Sequence, residues 1–495
     1  MQNIFSCRQA SELEKTAKEN FAIPPFLMME NAAKAMADFI LKRLTASAAD
    51  NSDSFKSAII ICGKGNNGGD GYALARLLQN KINVTVFALE EPSAAEAKAQ
   101  YEMCKKLGIN TSEISELEKT CRCLSTDDFI IDCIYGTGFH GELSTEAQKI
   151  INTMNQSRAC KIACDIPSAL AFKADYTITM GCQKLELYSD KAKDVCGKII
   201  VADLGIARDK FENPDGAATA THAHLIEAKD IKLPLRKKRA AHKGTYGHTA
   251  VLCGDKAGAA ILAATAAMNF GSGLTSIVQT KGSTLSQFKI SPSLMIADSI
   301  PKKTTCIAIG SGFTAFPEEA SEMLSEWFKS SKSPAAVLDA GILTDKDFPS
   351  LLEKLNEYEN ARIVLTPHLS ELSRLLENCN AEGDISVTAL AENTQAKIDA
   401  AAFLNKKFPR ITVIMKSANT FIAEGGEVFV IADGSQSLAK GGSGDILAGL
   451  TAALLAQGYS AKEAAITAAE HHALLSQKIG PETYSLTPEK LLELL

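Results

Sequence analysis

The segment GKGNNGGDG at 63–71 combines a glycine-rich turn with polar side chains that could do chemistry. It follows the apolar run SAIIIC, precedes the helical run YALARLLQ and opens with a G-x-G-x-x-G pattern. That pattern is the fingerprint of a dinucleotide-binding βαβ unit, and Glu90 lies where such a unit has a ribose-binding acid. The fingerprint leaves Asn66, Asn67 and Asp70 unexplained, because a loop that only cradles pyrophosphate needs glycines and backbone N–H groups. Their amide and carboxylate oxygens suit a hard cation or sugar hydroxyls.

Two later segments also end an apolar run with oxygen-bearing side chains. IIDCIYGTGFHGE places Asp132 at such an end, and ACDIPSAL places Asp165 and Ser168 there. Taken alone, each residue is better explained as a turn or capping residue. The loops at the carboxyl ends of parallel strands line one crevice, however, so the recurrence favours a site. We therefore expect Asn67, Asp132 and Ser168 to converge on one cation, with Asp165 facing a substrate.

The segment LAKGGSGDILAGLTAALL at 438–455 carries the strongest signal in the second half of the chain. Gly441, Gly442 and Gly444 leave backbone N–H groups free where a long helix begins, and that end of a helix attracts anions. Asp445 lies among these donors, where a carboxylate cannot be a phosphate ligand because like charges repel. We interpret it as a base that deprotonates a hydroxyl beside a transferring phosphoryl group, in preference to a simple helix cap.

Alternating strands and helices position these segments. Continuous apolar runs of strand length, separated by helical patterns, are typical of a parallel sheet covered on both faces. The alternation breaks at a polar stretch that contains the basic cluster RKKR at 236–239, and it restarts with TAVLCG. The sequence therefore predicts two α/β domains, at 1–225 and 241–495, joined by a linker at 226–240.

Composition restricts the classes of partner. The 495 residues are 46% hydrophobic and 22% charged, with a net charge of −6, whereas nucleic-acid binders usually carry a basic surplus. Apolar runs stay below the ~20 residues of a membrane helix, and the start MQNIFSCRQASELEK lacks the pattern of a secretory signal. Thirteen cysteines without a framework are typical of reduced thiols. We expect a cytoplasmic protein with no nucleic-acid or membrane partner, and assembly into a homo-oligomer is left open.

Motifs of the first half are similar to those of one known family. PPFLMMENAA, GNNGGDG, DCIYGTG and DIPSAL occur in the order that resembles the N-terminal domain of the YjeF family, the NAD(P)H-hydrate epimerases, and the resemblance covers nearly all of 1–225. It implies a Rossmann-like three-layer domain that interconverts the R and S epimers of hydrated NADH and NADPH. It also implies a potassium ion bound by Asn67, Asp132 and Ser168, and an acid/base role for Asp165. The implied contacts of the hydrate are Asn66, Asn67, Gly68, Gly69, Asp70, Gly136, Thr137, Gly138, Phe139, His140, Gly141, Glu142 and Asp165.

Motifs of the second half resemble the ribokinase-like superfamily and, within it, the NAD(P)H-hydrate dehydratase branch. The similar segments, which extend over about 240–495, are HKGTYGHTAVLCG, GAAILAATAAMNFGSGL, IGSGF, LTPHLSEL and GGSGDILAG. The resemblance implies a ribokinase-like α/β domain in which Asp445 is the base, ADP is the co-substrate and Mg²⁺ binds the nucleotide phosphates. The implied contacts of the hydrate are Ala259, Gly312, His368 and Asp445. The implied contacts of the nucleotide are Lys416, Ser417, Ala418, Asn419, Thr420 and Gly444.

The chain departs from these family patterns at a few positions. Ala169 follows Ser168 where the epimerases usually have glycine. In the second half, Gly341 stands where an aspartate is common. Leu369 and Ser370 stand where the dehydratases favour small residues and glycine. These departures concern loops, whereas the Asp445 segment fits the pattern throughout.

The two resemblances together imply a bifunctional metabolite-repair enzyme, an isomerase and a lyase in one chain. The first half would epimerise the hydrate, and the second would dehydrate the S form to NADH or NADPH with ADP, giving AMP and phosphate. The main alternative is a small-molecule kinase of the ribokinase superfamily fused to a Rossmann-like ligand-binding domain. A non-catalytic nucleotide-binding protein is a second alternative, which the presence of Asp165 and Asp445 disfavours. Formation of NADH from its hydrate and ADP separates these hypotheses, and the sequence does not decide between NADH and NADPH hydrates.

Overall fold

The computed structural model describes residues 1–49, 57–213, 223–480 and 482–495. The chain divides into two compact units. The N-terminal unit is Asn3–Thr221, and the C-terminal unit is Met1–Gln2 with His222–Leu495. Strands and helices alternate in both, which confirms the predicted α/β class. The predicted domain limits and the linker at 226–240 stay a prediction.

Parallel strands and covering helices make up the first part of the chain. Its strands are β1 (Gln2–Phe5), β2 (Ser57–Cys62), β3 (Asn83–Ala88), β4 (Thr111–Ser112), β5 (Phe129–Cys133), β6 (Cys160–Cys164), β7 (Tyr176–Met180), β8 (Gln183–Lys184) and β9 (Lys198–Ala202). Its helices are α1 (Cys7–Phe21), α2 (Pro25–Ala49), α3 (Asn66–Leu78), α4 (Ala95–Lys106), α5 (Leu117–Cys123), α6 (Thr145–Gln156), α7 (Asp190–Lys193) and α8 (Arg208–Glu212).

The order of strands across the N-terminal sheet is β4-β3-β2-β5-β6-β7-β9, and neighbouring strands run parallel. The chain leaves β2 toward one edge through β3 and then builds the other half from β5. β2 and β5 therefore flank the point where the strand order reverses. Ligands of open α/β sheets bind outside the carboxyl ends of the strands at such a point, where the loops after Cys62 and Cys133 lie.

Apolar side chains cover both faces of this sheet and produce three layers. Ile60 and Ile131 belong to a buried cluster that includes side chains of α2 and α3. Ile59 and Ile130 belong to a separate cluster that includes side chains of α5 and α6. Because successive residues of a strand point to opposite faces, a strand covered on both sides is apolar throughout, as SAIIIC is.

The C-terminal unit is built around a second, longer sheet. Its strands are β10 (Ala223–Leu225), β11 (His248–Cys253), β12 (Leu274–Gln279), β13 (Met295–Ala297), β14 (Cys306–Ile309), β15 (Ala335–Leu338), β16 (Arg362–Leu365), β17 (Ile411–Met415), β18 (Thr420–Glu424) and β19 (Glu427–Ile431). Its helices are α9 (Ala257–Asn269), α10 (Glu318–Ser330), α11 (Phe348–Asn356), α12 (Leu369–Asn378), α13 (Val387–Glu392), α14 (Thr394–Lys407), α15 (Ser443–Ala456), α16 (Ala461–Gln477) and α17 (Pro488–Glu493).

The order of strands in this unit is β13-β12-β11-β14-β15-β16-β17-β18-β19-β10. Pairs are parallel from β13 to β17, and β10 is parallel to β19. The strands β17, β18 and β19 are antiparallel. The order reverses between β11 and β14, so the carboxyl ends of β14 to β17 lie beside a second expected crevice.

A close contact between α9 and α15 fixes the start of α15 in the C-terminal unit. Both helices are rich in alanine and largely buried. A Cβ atom at Gly449 would lie 2.2 Å from the carbonyl oxygen of Ala263, so only glycine permits this approach. The glycine-rich loop that precedes α15 is thereby held against the rest of the unit.

Candidate active sites

The glycine-rich loop of the N-terminal unit packs directly against its neighbours. A Cβ atom at Gly63 would lie 2.1 Å from the carbonyl oxygen of Ile134, and one at Gly68 would lie 1.9 Å from that of Gly63. Gly63 is therefore required by the close approach of the loop to the end of β5, and Gly68 by the tight turn within the loop itself. The loop leads into α3, which begins at Asn66.

The Asn67 side chain is buried with its hydrogen-bonding capacity unused. It is 8% exposed, and neither Oδ1 nor Nδ2 has a partner among the described residues. An unsatisfied buried polar group costs about 1–3 kcal/mol. A Cβ atom at Gly136 would lie 3.4 Å from Asn67 Cγ, so the amide faces the loop after β5. Such an amide is suited to a ligand that supplies the missing interactions.

Asp132 and Ser168 form one hydrogen-bonded unit at the ends of β5 and β6. Oδ1 of Asp132 accepts a hydrogen bond of 2.6 Å from Ser168 Oγ, and Oδ2 accepts one of 2.8 Å from the Ser168 backbone N–H. Burial raises the pKa of Asp132 to about 6, which the donors from Ser168 and Ile134 oppose. Ala169 has φ +52°, a left-handed conformation that favours glycine. Ala169 adopts this conformation here, and the turn is retained.

Asp165 has a strained backbone, and its side chain is held by several contacts. Its φ is +69°, a rare backbone conformation for a residue other than glycine and one that functional sites often retain. Oδ1 lies 2.8 Å from Lys184 Nζ and accepts a hydrogen bond of 3.2 Å from the Met180 N–H. Oδ2 accepts a longer one, of 3.3 Å, from the Thr137 N–H. Asp165 thus bridges β8 and the loop after β5.

Further carboxyl groups surround the Asp165–Lys184 pair. Burial raises the pKa of Asp70 well above its usual range, and the charges of Asp165 and Glu14 add to this effect while Lys184 opposes it. Burial and the Asp165 charge raise the pKa of Glu14 to about 7. The side-chain hydrogen bond of Asp70 is a long contact of 3.9 Å from Cys164 Sγ. The site therefore combines an anchored carboxylate with acids that retain protons to higher pH.

Some of the remaining predicted hydrate contacts of this unit pack against neighbouring side chains, and others are exposed. Gly69 packs against Met29, since a Cβ atom there would lie 2.6 Å from Met29 Cε. The ring of Phe139 lies 4.4 Å from that of Tyr135. The exposed part of the loop contains Gly138, His140, Gly141 and Glu142.

In the C-terminal unit, polar side chains meet at the carboxyl ends of adjacent strands. Oδ1 of Asp339, after β15, accepts a hydrogen bond of 2.5 Å from Thr366 Oγ1 and lies 3.0 Å from Lys416 Nζ. Its Oδ2 accepts one of 3.4 Å from Ser311 Oγ, after β14. The ends of β14, β15, β16 and β17 thus share one buried network.

The start of α15 lies against this network. A Cβ atom at Gly444 would lie 3.3 Å from Lys416 Nζ, so the ammonium group faces the first turn of the helix. Burial raises the pKa of Asp445 to about 6, and the charge of Asp339 adds to it, while Ser311 and Lys416 oppose it. A carboxylate whose pKa approaches neutrality at a helix N-terminus is well matched to a general base that acts beside an anion.

The predicted hydrate contacts of this unit lie around the same strand ends. A Cβ atom at Gly312, where φ is +80°, would lie 3.2 Å from Ala259 Cβ. His368 forms an isolated parallel bridge with Lys416. Its Nδ1 lies 3.0 Å from Ser370 Oγ, so the unusual serine orients the imidazole. Gly341 cannot carry an aspartate without movement, since a Cβ atom there would lie 2.6 Å from a backbone oxygen.

Hydrogen bonds hold the predicted nucleotide loop, 416–420, in place. Ser417 Oγ donates a hydrogen bond of 2.6 Å to the Asn419 carbonyl oxygen. Lys397 Nζ donates one of 2.8 Å to Ser417 Oγ and lies 4.8 Å from the ring centre of Phe421. Thr420 is the first residue of β18, and Ala418 is exposed at the tip.

Comparisons with known proteins agree over the full length of the chain. Residues 26–186 match the family model of the YjeF-related protein N-terminus, and residues 249–495 match that of NAD(P)H-hydrate dehydratase. The bifunctional NAD(P)H-hydrate repair enzyme of Helicobacter pylori is 36% identical over 98% of this chain and 98% of that protein. The chain belongs to the family of bifunctional NAD(P)H-hydrate repair enzymes.

One further relative and one solved structure are also similar to this chain. The bifunctional NAD(P)H-hydrate repair enzyme of Coxiella burnetii is 30% identical over 97% of this chain and 95% of that protein. A crystal structure of the ADP/ATP-dependent NAD(P)H-hydrate dehydratase of Bacillus subtilis, co-crystallised with ATP and Mg²⁺, matches with a TM-score of 0.44. Its sequence is 24% identical, and the match covers 52% of this chain and 91% of that chain.

Some functional candidates in this repair enzyme were missed in the sequence. Lys184, Glu14 and Lys397 lie in segments with other polar residues, and nothing in their spacing indicates a site. Asp339 follows the apolar run AAVL, so the strand-end pattern that identified Asp132 would have found it.

Among the described residues, no group of three or more His, Cys, Asp or Glu side chains could hold a metal ion. None of the described helices has the length and apolar character needed to cross a membrane.

Proposed function

We propose that this chain repairs hydrated NADH and NADPH in two successive reactions. In this proposal, residues 1–225 epimerise the R and S hydrates, and residues 241–495 dehydrate the S form with ADP, giving AMP and phosphate. Full-length membership of the repair-enzyme family supports it. The observation that carries it is Asp445, a half-buried carboxylate with a raised pKa at a glycine-framed helix start. A cytoplasmic location is part of the same proposal.

The proposed epimerisation uses Asp165 as the proton carrier. The reacting carbon bears a hydroxyl group and the ring nitrogen. Transfer of the hydroxyl proton to Asp165, as the bond from carbon to nitrogen breaks, gives an aldehyde; the same proton then goes to the freed nitrogen. Bond rotation and the reverse sequence close the ring on the other face. No atom is gained or lost, so one carboxylate is sufficient.

A potassium ion fits the same crevice. Asn67 has an unused carbonyl oxygen, and Asp132 supplies negative charge beside the Ser168 hydroxyl. Carbonyl, carboxylate and hydroxyl oxygens are the ligands that hard cations prefer. We propose that these residues hold the ion, whose charge would orient the oxygens of the bound hydrate. The hydrate itself would contact the segments 66–70 and 136–142.

The proposed dehydration uses Asp445 as the base. Hydroxide is a poor leaving group, so the hydroxyl group first receives a phosphoryl group from ADP while Asp445 removes its proton. Phosphate then leaves with the electron pair of the carbon–oxygen bond, and loss of a proton from the adjacent carbon restores the dihydropyridine ring. Backbone N–H groups at Gly442 and Gly444 would stabilise the phosphoryl charge. Ala259, Gly312 and His368 would hold the hydrate.

The loop 416–420 and Gly444 would hold ADP. The loop is already ordered by its internal hydrogen bond and by Lys397, which lowers the entropy cost of binding. Lys416 extends from this loop to the start of α15 and would place a positive charge beside the phosphates. Mg²⁺ would bind with the nucleotide, because this ion keeps several waters and takes few protein ligands when it accompanies phosphates.

One assay tests both halves. A mixture of R and S hydrates is incubated with ADP and Mg²⁺, with and without K⁺, and reduced nicotinamide is followed by absorbance. Complete conversion requires both activities. Asp165→Ala should stop conversion at the initial S fraction, and Asp445→Asn should prevent NADH formation. Accumulation of a stable phosphoester without NADH would instead identify a small-molecule kinase and refute the proposal.

A further inference from the structure

The two oxygens of the Asp165 carboxylate have unequal surroundings. Oδ1 lies 2.8 Å from Lys184 Nζ, accepts from the Met180 N–H at 3.2 Å, and has Thr179 Oγ1 at 3.5 Å. Oδ2 accepts from the Thr137 N–H at 3.3 Å. A Cβ atom at Gly136 would lie 3.2 Å from Oδ2, so this oxygen faces the loop proposed to bind the hydrate. Oδ1 is turned into the protein.

Lys184 has no capacity left for a substrate. Its side chain is 1% exposed, and Nζ lies 2.8 Å from Asp165 Oδ1. It also donates hydrogen bonds of 3.0 Å to Thr179 Oγ1 and 2.8 Å to the Met180 carbonyl oxygen. An ammonium group has three protons, and these contacts account for them. Although burial disfavours the charge, Asp165 and its neighbours raise the pKa of Lys184 above its ordinary value, so it remains a fixed cation.

We propose that Lys184 is the positioning residue of the epimerase site, and that Oδ2 of Asp165 is the oxygen that carries the proton. This inference rests on the proposed epimerase function and specifies how the Asp165 carboxylate is oriented toward the substrate. By binding Oδ1, Lys184 fixes the rotation of the carboxylate and leaves one oxygen directed at the crevice. The strained backbone of Asp165 persists because Lys184 and the Met180 N–H together hold the side chain.

The reaction step remains balanced under this assignment. Oδ2 takes the hydroxyl proton as the bond from carbon to ring nitrogen breaks, and the same oxygen returns that proton to nitrogen. Both transfers need one oxygen within hydrogen-bond reach of two substrate atoms in turn. A carboxylate free to rotate would present either oxygen and would lose this alignment. A misplacement of about 1 Å can lower a rate about 10²-fold.

The test compares Lys184→Met, Lys184→Arg and the matched control Lys191→Met in the full chain. Lys191 is an exposed lysine in α7. Purified R-hydrate is incubated with each protein, and the R and S epimers are separated by chromatography. We expect Lys184→Met to lower kcat about 10²-fold with KM changed less than about three-fold. Lys184→Arg should recover part of kcat, and Lys191→Met should match the unchanged chain.

A double-substitution cycle separates positioning from a merely structural role. If Lys184 acts through Asp165, Lys184→Met should have no further effect on epimerisation in an Asp165→Asn background. Dehydration of S-hydrate with ADP should be unchanged in every variant. The inference is overturned if Lys184→Met keeps kcat within about three-fold, changes KM alone, or lowers the rate equally in both backgrounds.

A second variant keeps the inference testable if Lys184→Met does not fold by circular dichroism. Thr179→Val removes one acceptor of the ammonium group and preserves the shape of the side chain. We expect kcat to fall about ten-fold with KM unchanged, because a looser Lys184 allows Asp165 to rotate; an unchanged kcat refutes the inference. Absence of epimerisation in the unsubstituted chain would instead refute the proposed function. Epimerisation in that chain with an insensitive Lys184 refutes only the positioning role.

Discussion

Glu470, in the middle of α16, should make the C-terminal unit less stable as pH rises. Its side chain is 0% exposed, and its carboxyl group lies beside that of Asp433, to which it can donate a hydrogen bond only when protonated. Burial, followed by the neighbouring Asp433 carboxyl group, raises its pKa from 4.5 to about 8. The folded chain therefore retains a proton that the unfolded chain releases between these values. Stability must fall as pH rises through this window.

The substitution Glu470→Gln removes the titration and keeps the size of the side chain. A pKa difference of 3.5, from 4.5 to about 8, corresponds to about 4.8 kcal/mol above pH 8 at 1.36 kcal/mol per unit. Relaxation and water penetration reduce the cost of a buried charge. We expect the variant to be about 2–3 kcal/mol more stable than the unsubstituted chain at pH 9 and equally stable at pH 5.

The single tryptophan makes this measurement specific to one unit. Trp327 is buried in α10 of the C-terminal unit, so its fluorescence in urea reports unfolding of that unit. The control is Glu463→Gln on the same helix, where an ion pair with Lys232 lowers the pKa of Glu463. Because that pair is exposed, its removal should change stability only slightly, with loss rather than gain above pH 5. A stability difference for Glu470→Gln that is constant between pH 5 and pH 9 would refute the reasoning.

Further predictions concern the two sites and the helix contact. Asp445→Asn should lower NADH formation from S-hydrate and ADP at least about 10²-fold, with epimerisation unchanged; a smaller loss would exclude Asp445 as the base. Asn67→Ala should remove the acceleration of epimerisation by K⁺ without lowering thermal stability, because its amide has no partner to lose in the described chain; retained K⁺ dependence would contradict this. Gly449→Val should destabilise the C-terminal unit by about 3 kcal/mol, as followed by Trp327 fluorescence, since its Cβ atom would meet the Ala263 carbonyl oxygen; an unchanged urea midpoint would show that α9 and α15 can separate at no cost.

The strand ends were predictable because local sequence determines them. SAIIIC and AAVL are apolar without interruption, so each had to be a strand covered on both faces, and polar residues after them had to lie at one edge of a sheet. The contact between Asp132 and Ser168 follows from that geometry. The hairpin of β18 and β19 was missed, although Gly425 and Gly426 mark its turn with positive φ.

The partners of the site residues could not be predicted in the same way. Lys184, in β8, contacts Asp165, which follows β6, although the strand β7 lies between them in the chain, and no local pattern encodes that contact. The raised pKa of Glu14 depends on α1 packing near the same pair. His472 is buried with Nε2 3.2 Å from Ser443 Oγ, which lies 29 residues earlier in the chain. Each of these features is a tertiary contact between distant segments.

Both units pair a lysine with an aspartate at strand ends, but the surroundings of the two pairs differ. In the N-terminal unit, the paired acid Asp165 itself faces the proposed substrate loop, which suits a reaction that must take and return a proton at one place. In the C-terminal unit, the pair of Lys416 and Asp339 lies beside a separate acid, Asp445. Burial and the charge of Asp339 raise the pKa of Asp445, and Asp339 holds the Lys416 ammonium group beside the helix start. In the proposed dehydration, Asp445 would then act on the hydroxyl group while Lys416 stabilises the phosphoryl group, as phosphoryl transfer requires.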